Sequence, residues 1–397
     1  MTLRIMWTAI CLVALAAAAT VRVLAQTETI KVGYTGPITG AAAIYGGNIM
    51  RGLQLAVDQV NASNGIATDG GRRKFELLVY DDSGDPATAV LNAHRLAESD
   101  HAKVIFCFST AAILAIQKFN EKGNPFILAG YSSQPVTLQQ HNKLYIMIPP
   151  RADGYYGRYA SIERMRSVKN VALLTSNTAY GRSWAEGFGS AWKAIGGSIG
   201  LDQPVDYNAS DYSAIVMKAL ATKPDTMLVG GGRDGSSALL IRTARQNGYR
   251  GGFALVDQSR LEEITKIVPL TSLEGTIGPL PLTSQTGPGL RSFIEAYTRK
   301  FGAGEPRVES GLSYEAVHVL AGAIREAGSL DPYAVMARVS SAARSLPNQY
   351  KPVPLDRLAD DGNLFSDPTV GLVQRGSIIA APCLTCDTPT PIPTPKK

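Results

Sequence analysis

The sequence predicts an α/β fold made of two doubly wound parallel-sheet lobes. Short β-branched runs alternate with amphipathic helical stretches, and strand and helix in strict turn favour parallel sheets with helices on both faces. The alternation pauses at Ile148-Pro149-Pro150 and begins again after Asp153. A chain of 397 residues also exceeds one ordinary hydrophobic core, so two lobes are expected.

The first run of elements opens with a strand at 30–34 and a helix at 47–61. In this helix Leu53, Val57 and Val60 recur at helical spacing, which predicts one apolar face. The other predicted elements before the pause are strands at 75–80, 104–108 and 125–128 and helices at 86–99 and 111–122.

The second run repeats the pattern. Its predicted elements are strands at 171–175, 226–229 and 253–256 and helices at 181–195, 213–221 and 236–247. A region at 275–289 that is rich in Gly, Pro and Thr marks another break, and a strong helix follows at 310–327. Short apolar runs at 350–380 precede a Pro/Thr-rich tail at 383–397 that is predicted to be disordered.

The first 25 residues are predicted to be a cleaved secretory signal peptide. Arg4 precedes an apolar run at 5–19, and the small-residue stop Val23-Leu24-Ala25 follows. A retained anchor is the alternative, but a membrane span needs about 20 apolar residues and this run is shorter. We therefore expect a periplasmic mature chain of 372 residues (397 minus 25).

Charge and cysteine content exclude some classes of function. Removal of the signal peptide takes Arg4 and Arg22 and no acid, so the net charge falls from +6 to +4. This mild surplus, without a dense basic block, gives no support for nucleic-acid binding. Cys107 is expected to be buried, whereas Cys383 and Cys386 are interpreted as a small structural loop or as having no role.

A glycine-rich motif supports an alternative function. Residues 230–235 fit G-x-G-x-x-G between a predicted strand and a predicted helix, and Asp257 lies 22 residues beyond Gly235. This spacing is that of a dinucleotide-binding fingerprint, so a dinucleotide-dependent oxidoreductase is the rival hypothesis. The motif lies deep in the second lobe, export removes the chain from nicotinamide cofactors, and no hydride-transfer residues stand out beside it.

No other motif predicts chemistry. The chain lacks a phosphate loop and an H-x-x-x-H or paired Cys/His set. We therefore predict no enzyme activity, catalytic residue, cofactor or metal.

The same geometry still predicts a binding cleft. Loops at the carboxyl ends of parallel strands form the crevice of open α/β sheets. We expect residues 230–234 and Asp257 to line it, together with Ser109, Thr110 and Ala111. A hydroxyl at a helix start also serves as an N-cap, so helix capping and ligand contact both stay open for Ser109 and Thr110.

From about residue 29 to residue 379 the chain resembles the substrate-binding proteins of branched-chain amino-acid ABC importers, the leucine/isoleucine/valine-binding type. Single motifs are weak, but many occur in the family's order. They are Ile30-Lys31-Val32-Gly33, Thr35-Gly36-Pro37, Tyr45-Gly46, Asn64-Gly65, Asp81-Asp82 with Asp85-Pro86, Ser132-Ser133-Gln134-Pro135, Tyr180-Gly181, Ser313-Tyr314-Glu315-Ala316 and Asp360-Asp361-Gly362.

The resemblance implies the type I periplasmic binding protein fold, in which a three-strand hinge joins two discontinuous lobes. Lobe 1 is expected to comprise residues 26–148 plus 279–350, and lobe 2 residues 149–278 plus 351–382. The implied partners are a small-molecule ligand, such as an amino acid or a small organic acid or amide, and the membrane permease of an ABC importer. A monomer is expected, and a ligand-sensing subunit of a membrane receptor is a further alternative.

The resemblance also implies roles for particular residues. A carboxylate subsite is expected at Ser109, Thr110 and Ala111 with Ser132 and Ser133. Asp257 would receive the ligand ammonium, Tyr180 would cover the ligand and Tyr45 would wall the side-chain pocket.

Two positions depart from the family pattern. Arg233 stands where an aromatic residue is common, and it could pair with Asp257, meet a second acid on the ligand or be a solvated loop residue. Ser83 occupies the likely partner position of Cys107, so the usual disulfide is not expected.

Overall fold

The computed structural model describes residues 29–302, 304–353, 357–365 and 368–382. The predicted signal peptide at 1–25 and the predicted tail at 383–397, with Cys383 and Cys386, lie outside the described residues. Over the described part, strands and helices alternate as predicted.

The strands are β1 (Ile30–Gly36), β2 (Ile66–Thr68), β3 (Gly71–Arg73), β4 (Phe75–Asp81), β5 (Val104–Cys107), β6 (Ile127–Gly130), β7 (Tyr145–Met147), β8 (Asn170–Thr175), β9 (Ser198–Asp202), β10 (Thr226–Gly230), β11 (Gly252–Leu255), β12 (Ile277–Pro279), β13 (Arg357–Leu358), β14 (Leu364–Phe365), β15 (Val370–Gln374) and β16 (Ser377–Ala380). The helices are α1 (Ala43–Ala62), α2 (Pro86–His94), α3 (Thr110–Ile116), α4 (Ala152–Met165), α5 (Ala179–Ala194), α6 (Ser213–Ala221), α7 (Asp234–Gln246), α8 (Leu261–Ile264), α9 (Leu290–Phe301), α10 (Val308–Ala327), α11 (Pro332–Met336) and α12 (Val339–Ser345).

Five parallel strands form the first sheet, in the order β4-β1-β5-β6-β7. The first lobe is defined here as this sheet and the helices packed on it. The strand order reverses between β1 and β5, and the crevice of an open α/β sheet lies at that switch point, at the carboxyl ends of the strands.

The second sheet has seven strands in the order β16-β15-β12-β11-β10-β8-β9, and it defines the second lobe. Strands β8 to β12 are parallel, with a switch point between β8 and β10. Strands β15 and β16 are antiparallel and are joined by Arg375 and Gly376, which both have positive φ angles. A prediction of parallel strands alone therefore missed this hairpin, whose tight turn suits two left-handed residues.

The core of the first lobe depends on close contact between α1 and α10. A Cβ atom on Gly52 would lie 2.2 Å from the backbone oxygen of Ser310, so only glycine permits this approach. Leu53 and Val57 of α1 are buried in the same core as Leu312 of α10. This packing fixes the N-terminus of α10 in the first lobe.

The chain passes between the two sheets after β7, after β12 and before β15. Val353 and Leu364 are buried in the core of the first lobe, and the second sheet resumes at Val370. The residue limits expected for the two lobes from the resemblance stay predictions.

One predicted helix is too long. The prediction was 111–122, but α3 ends at Ile116. Asn120 is fully buried, and its side-chain amide donates to the backbone oxygens of Phe126 and Leu144 at 3.3 and 3.4 Å. These bonds hold the chain in a turn that leads directly into β6.

Cys107 is buried and has a free thiol, as expected from Ser83 at the position of the usual partner. Within the described residues, no helix is both long and apolar enough to cross a membrane.

Candidate functional site

The predicted site residues lie after the carboxyl ends of strands in both lobes. In the first lobe Ser109, Thr110 and Ala111 follow β5, and Ser132 and Ser133 follow β6. In the second lobe Tyr180 follows β8, Arg233 follows β10 and Asp257 follows β11. The two sets therefore come from the sheet edges at which such folds form a crevice.

A cluster of hydroxyl groups forms at the edge of the first sheet. Ser109 is the N-cap of α3, and its Oγ accepts from the N–H of Ala112 at 3.4 Å. The hydroxyls of Thr110 and Ser132 are 2.8 Å apart. Ala111 is exposed, and its position in the first turn of α3 is the only feature that links it to this cluster. Capping by Ser109 is thus observed, whereas ligand contact stays a prediction.

Asp257 is the acid on the opposite side, and its carboxylate is held by donors from both lobes. The indole Nε1 of Trp184 donates to Oδ1 at 3.1 Å, and the side chain of Ser133 donates from the first lobe. Burial raises the pKa of Asp257 to about 6, and hydrogen bonds from the side chain of Ser133 and from the backbone of Asp257 and Gln258 oppose the increase. The side chain keeps a partly exposed surface although protein surrounds it, as expected for a group that lines an enclosed cleft.

Tyr45 connects the two lobes. Its ring stacks on Phe108 with centroids 6.1 Å apart, and its hydroxyl donates to the backbone oxygen of Gln258 at 3.0 Å. The guanidinium carbon of Arg260 lies 4.2 Å from the ring centroid. Tyr45 therefore contacts the loop after β11, and its role as a wall of the ligand pocket stays a prediction.

Tyr180 is the second residue of α5. Its ring is half-buried and packs against the aromatic cluster that contains Trp184. Its hydroxyl is buried and has no hydrogen-bond partner among the described residues. A buried hydroxyl of this kind is costly unless a partner is supplied, and a ligand could supply one.

Arg233 is less integrated than the other predicted residues. It is the N-cap residue of α7, its side chain is exposed, and it makes no ion pair with another described residue. Its charge acts on Tyr212 and lowers the pKa of that phenol, against the larger increase from burial. Its role as a ligand contact stays a prediction.

Sequence reasoning placed Asp234 in the cleft but missed Trp184, which contacts Asp257, and Arg260, which contacts Tyr45. It also missed Glu309, the partner of Arg260. Trp184 lies four residues after Tyr180, which is one helical turn and a usable signal. Glu309 has no such signal because it is 49 residues beyond Arg260, its partner across the lobes.

The glycine-rich loop after β10 is explained by packing. A Cβ atom on Gly230 would lie 2.2 Å from Oγ of Ser259, and one on Gly232 would lie 2.4 Å from Cβ of Tyr207. The N–H of Gly230 already donates to the hydroxyl of Tyr207 at 2.6 Å. These contacts require glycine without any nucleotide, and they occupy the amide that a phosphate would otherwise contact.

The parallel strands of the two sheets end at edges that meet through Tyr45 and the loop after β11, an arrangement typical of two-lobed solute-binding proteins. The family model described as "Periplasmic binding protein" matches residues 29–370, and the chain belongs to this family. The predicted type I fold is confirmed by this match and by the solved structures that follow, and the predicted resemblance to branched-chain amino-acid-binding proteins is confirmed by the relatives. The rival oxidoreductase hypothesis is not favoured.

Two relatives come from Pseudomonas aeruginosa. The chain is 28% identical over 312 residues to a protein described as "Amino acid binding protein", a match that covers 76% of this chain and 80% of the relative. It is 26% identical over 314 residues to a leucine-, isoleucine-, valine-, threonine- and alanine-binding protein, with 77% and 80% covered.

Two solved structures share the fold. A leucine-binding protein from Thermotoga maritima superposes with a TM-score of 0.73 at 22% identity, covering 89% of this chain and 97% of that one. The substrate-binding protein of a branched-chain amino-acid transporter from Streptococcus pneumoniae, in complex with isoleucine, gives a TM-score of 0.74 at 21% identity, with 90% and 99% covered.

Proposed function

We propose that the protein captures an amino acid between its two lobes and delivers it to the permease of an ABC importer, without catalysing a reaction. The family is one of extracytoplasmic solute-binding proteins. The names of the Pseudomonas relatives support an amino acid as the ligand.

The carboxylate of Asp257 is the observation that carries this proposal. A carboxylate in a dense protein environment is unfavourable unless it meets a positive charge. Among the described residues, Asp257 has hydrogen-bond donors but no cationic side chain in an ion pair. The ammonium group of a ligand would supply the missing charge.

The hydroxyl cluster supports the other end of the ligand. A ligand carboxylate needs several convergent donors, and hydroxyls and free amides provide them without a net charge. We assign this role to Ser109, Thr110 and Ala111 with Ser132, since Ser133 contacts Asp257. Tyr45 and Tyr180 would enclose the remainder of the ligand.

We further propose that residues 1–25 are removed on export and that the mature chain acts as a monomer in the periplasm. The order of a basic residue, an apolar run and small residues supports the cleavage. Mass spectrometry of the secreted protein would show a new N-terminus at Gln26.

Calorimetry with leucine and its two fragments tests the ligand class. Isoamylamine keeps the ammonium and isocaproate keeps the carboxylate, so each engages one half of the proposed site. Leucine is expected to bind at least tenfold more tightly than either fragment, because only leucine satisfies both halves. Binding of isocaproate as tight as that of leucine would refute the assignment of Asp257.

A further inference from the structure

A buried ion pair joins the two lobes at the N-terminus of α10. Arg260 follows β11 in the second lobe, and Glu309 is the second residue of α10 in the first lobe. The Nη1 group of Arg260 donates to Oε1 of Glu309 at 3.2 Å, and both side chains are almost fully buried. The contact therefore exists only while the two lobes are together.

Asp234 orients Arg260 within its own lobe. Its Oδ1 accepts from the backbone N–H of Arg260 at 2.8 Å, and its Oδ2 accepts from Nε and Nη2 at 3.2 and 2.7 Å. These three bonds fix the plane of the guanidinium and leave Nη1 directed to the other lobe. The arginine is thus preorganised, and less conformational entropy is lost when it meets Glu309.

The first lobe also supplies an aromatic face. The ring of Tyr45 lies under the guanidinium at 4.2 Å, within the range of a cation–π contact. The hydroxyl of Tyr45 reaches back to the oxygen of Gln258, two residues before Arg260. We call Arg260, Glu309 and Tyr45 the interlobe clasp.

A second ion pair runs in the opposite direction beside the clasp. Arg307, the residue before α10, donates from Nε to Oε1 of Glu263 at 2.7 Å, and Glu263 lies in α8 of the second lobe. Each lobe therefore contributes an arginine and an acidic partner for the arginine of the other lobe. This reciprocal arrangement favours one relative orientation of the lobes over others.

A buried ion pair alone is weak evidence for stabilisation, because desolvation of both charges offsets their attraction. Here Asp234 is already paired with Arg260 in the second lobe. When the lobes separate, Arg260 keeps its pair with Asp234 but loses its contacts with Glu309 and with the ring of Tyr45. The hydrogen bond from Tyr45 to Gln258 is broken at the same time. The sum of these contacts favours the closed arrangement.

We propose that Arg260 is a positioning residue for ligand capture and that the interlobe clasp holds a large fraction of the empty protein closed. The effect on affinity rests on the proposed function, but the effect on shape does not. A ligand that binds the closed form has an apparent affinity proportional to the fraction already closed. Loss of the Arg260 or Glu309 side chain would therefore weaken binding without removing any proposed ligand contact.

Small-angle X-ray scattering of the ligand-free mature protein tests the shape. Arg260→Ala and Glu309→Gln are expected to increase the radius of gyration, and Arg260→Lys to restore part of the compactness. Arg182→Ala is the matched control, since Arg182 pairs with Asp202 inside the second lobe at 2.7 Å. The proposal is overturned if the ligand-free wild-type protein has the same radius of gyration as folded Arg260→Ala. It is also overturned if Glu309→Gln keeps the wild-type radius of gyration.

Calorimetry with leucine separates this proposal from the proposed function. Arg260→Ala is expected to raise the Kd about tenfold, and leucine at saturation to return the variant to the wild-type radius. An unchanged Kd in Arg260→Ala overturns the positioning role. Absence of leucine binding by the wild type would count against the proposed function and leave the scattering comparison as the test of the clasp.

Discussion

The indole of Trp184 and the carboxylate of Asp257 form a hydrogen bond of 3.1 Å at the base of the cleft. Trp184 is fully buried among Tyr155, Tyr156 and Tyr159, so its Nε1 has a fixed direction. The bond therefore holds one oxygen of Asp257 within the second lobe before any ligand arrives. A rigid acid loses little freedom when it binds an ammonium group.

Replacement of Asp257 by alanine should abolish the preference for amine-bearing ligands. We expect the Kd for leucine to rise more than tenfold, because the ligand ammonium would be buried without a partner. Calorimetry measures the change, and Asp202→Ala, which removes an exposed acid from the second lobe, is the matched control. Equal affinities of Asp257→Ala and the wild type would exclude Asp257 as the ammonium site.

Ligand affinity should depend on pH through the same residue. Burial raises the pKa of Asp257 to about 6, so the empty protein takes up a proton there as the pH falls through 6. A protonated acid cannot pair with an ammonium, so affinity should fall by up to tenfold for each pH unit below about 6. Asp257→Asn should remove this slope in a calorimetric pH series. If the affinity of that variant still falls with decreasing pH, the pH dependence belongs to another group.

Ser109→Ala should affect stability and ligand selectivity separately. Loss of the N-cap is expected to lower the free energy of unfolding by about 1 kcal/mol, measured by urea denaturation. If Ser109 also binds the ligand carboxylate, affinity for leucine should fall while affinity for isoamylamine does not. Equal losses for both compounds would indicate that Ser109 acts only as a cap.

Arg233→Ala should leave ligand affinity within a factor of about two, because exposed charges contribute little to interactions. The measurement is calorimetry with leucine and with glutamate, whose second acid would reveal a cation in the cleft. A selective loss of glutamate binding would show that Arg233 reaches the ligand after all.

His318 should make the protein less stable in acid. Burial lowers its pKa to about 3, whereas an unfolded histidine titrates near pH 6.5, so below about pH 6.5 the unfolded state binds the extra proton. The contribution of His318 to the free energy of unfolding therefore falls as the pH drops from about 6.5 towards 3, and at pH 5 the loss is about 2 kcal/mol. Urea denaturation at pH 7.5 and pH 5 measures this difference, which His318→Gln should reduce. His141→Asn, at an exposed left-handed position that asparagine tolerates, should not.

The sequence predicted those parts of the site that depend on strand ends. Asp257, Ser109 and Ser132 each follow a strand that is recognisable from its short apolar run, and parallel strands bring their carboxyl ends to one edge. Contacts between lobes were not predictable in this way. Arg260 and Glu309 lie on opposite sides of a crossing from the second lobe to the first. No local sequence pattern predicts a contact between residues so far apart along the chain.

The other features that the sequence did not predict also have specific physical causes. The early end of α3 is explained by the buried amide of Asn120, which donates to the backbone oxygens of Phe126 and Leu144, the residues just before β6 and β7. The hairpin of β15 and β16 turns at Arg375 and Gly376, and arginine is not a usual residue at a positive φ angle. The contacts of Asn120 depend on the tertiary fold, and a left-handed arginine is not a usual turn signal, so neither feature follows from the sequence pattern.

The most direct test of the amino-acid assignment is a thermal-shift screen of the mature protein against amino acids, amides, urea-like compounds, aromatic acids and nicotinamide cofactors. A ligand at 100 times its Kd should stabilise the protein by about 2.7 kcal/mol, which gives a clear rise in Tm. We expect an amino acid to give the largest shift and Asp257→Asn to reduce that shift. A shift produced only by acids without an amine, or only by a nicotinamide cofactor, would contradict the account.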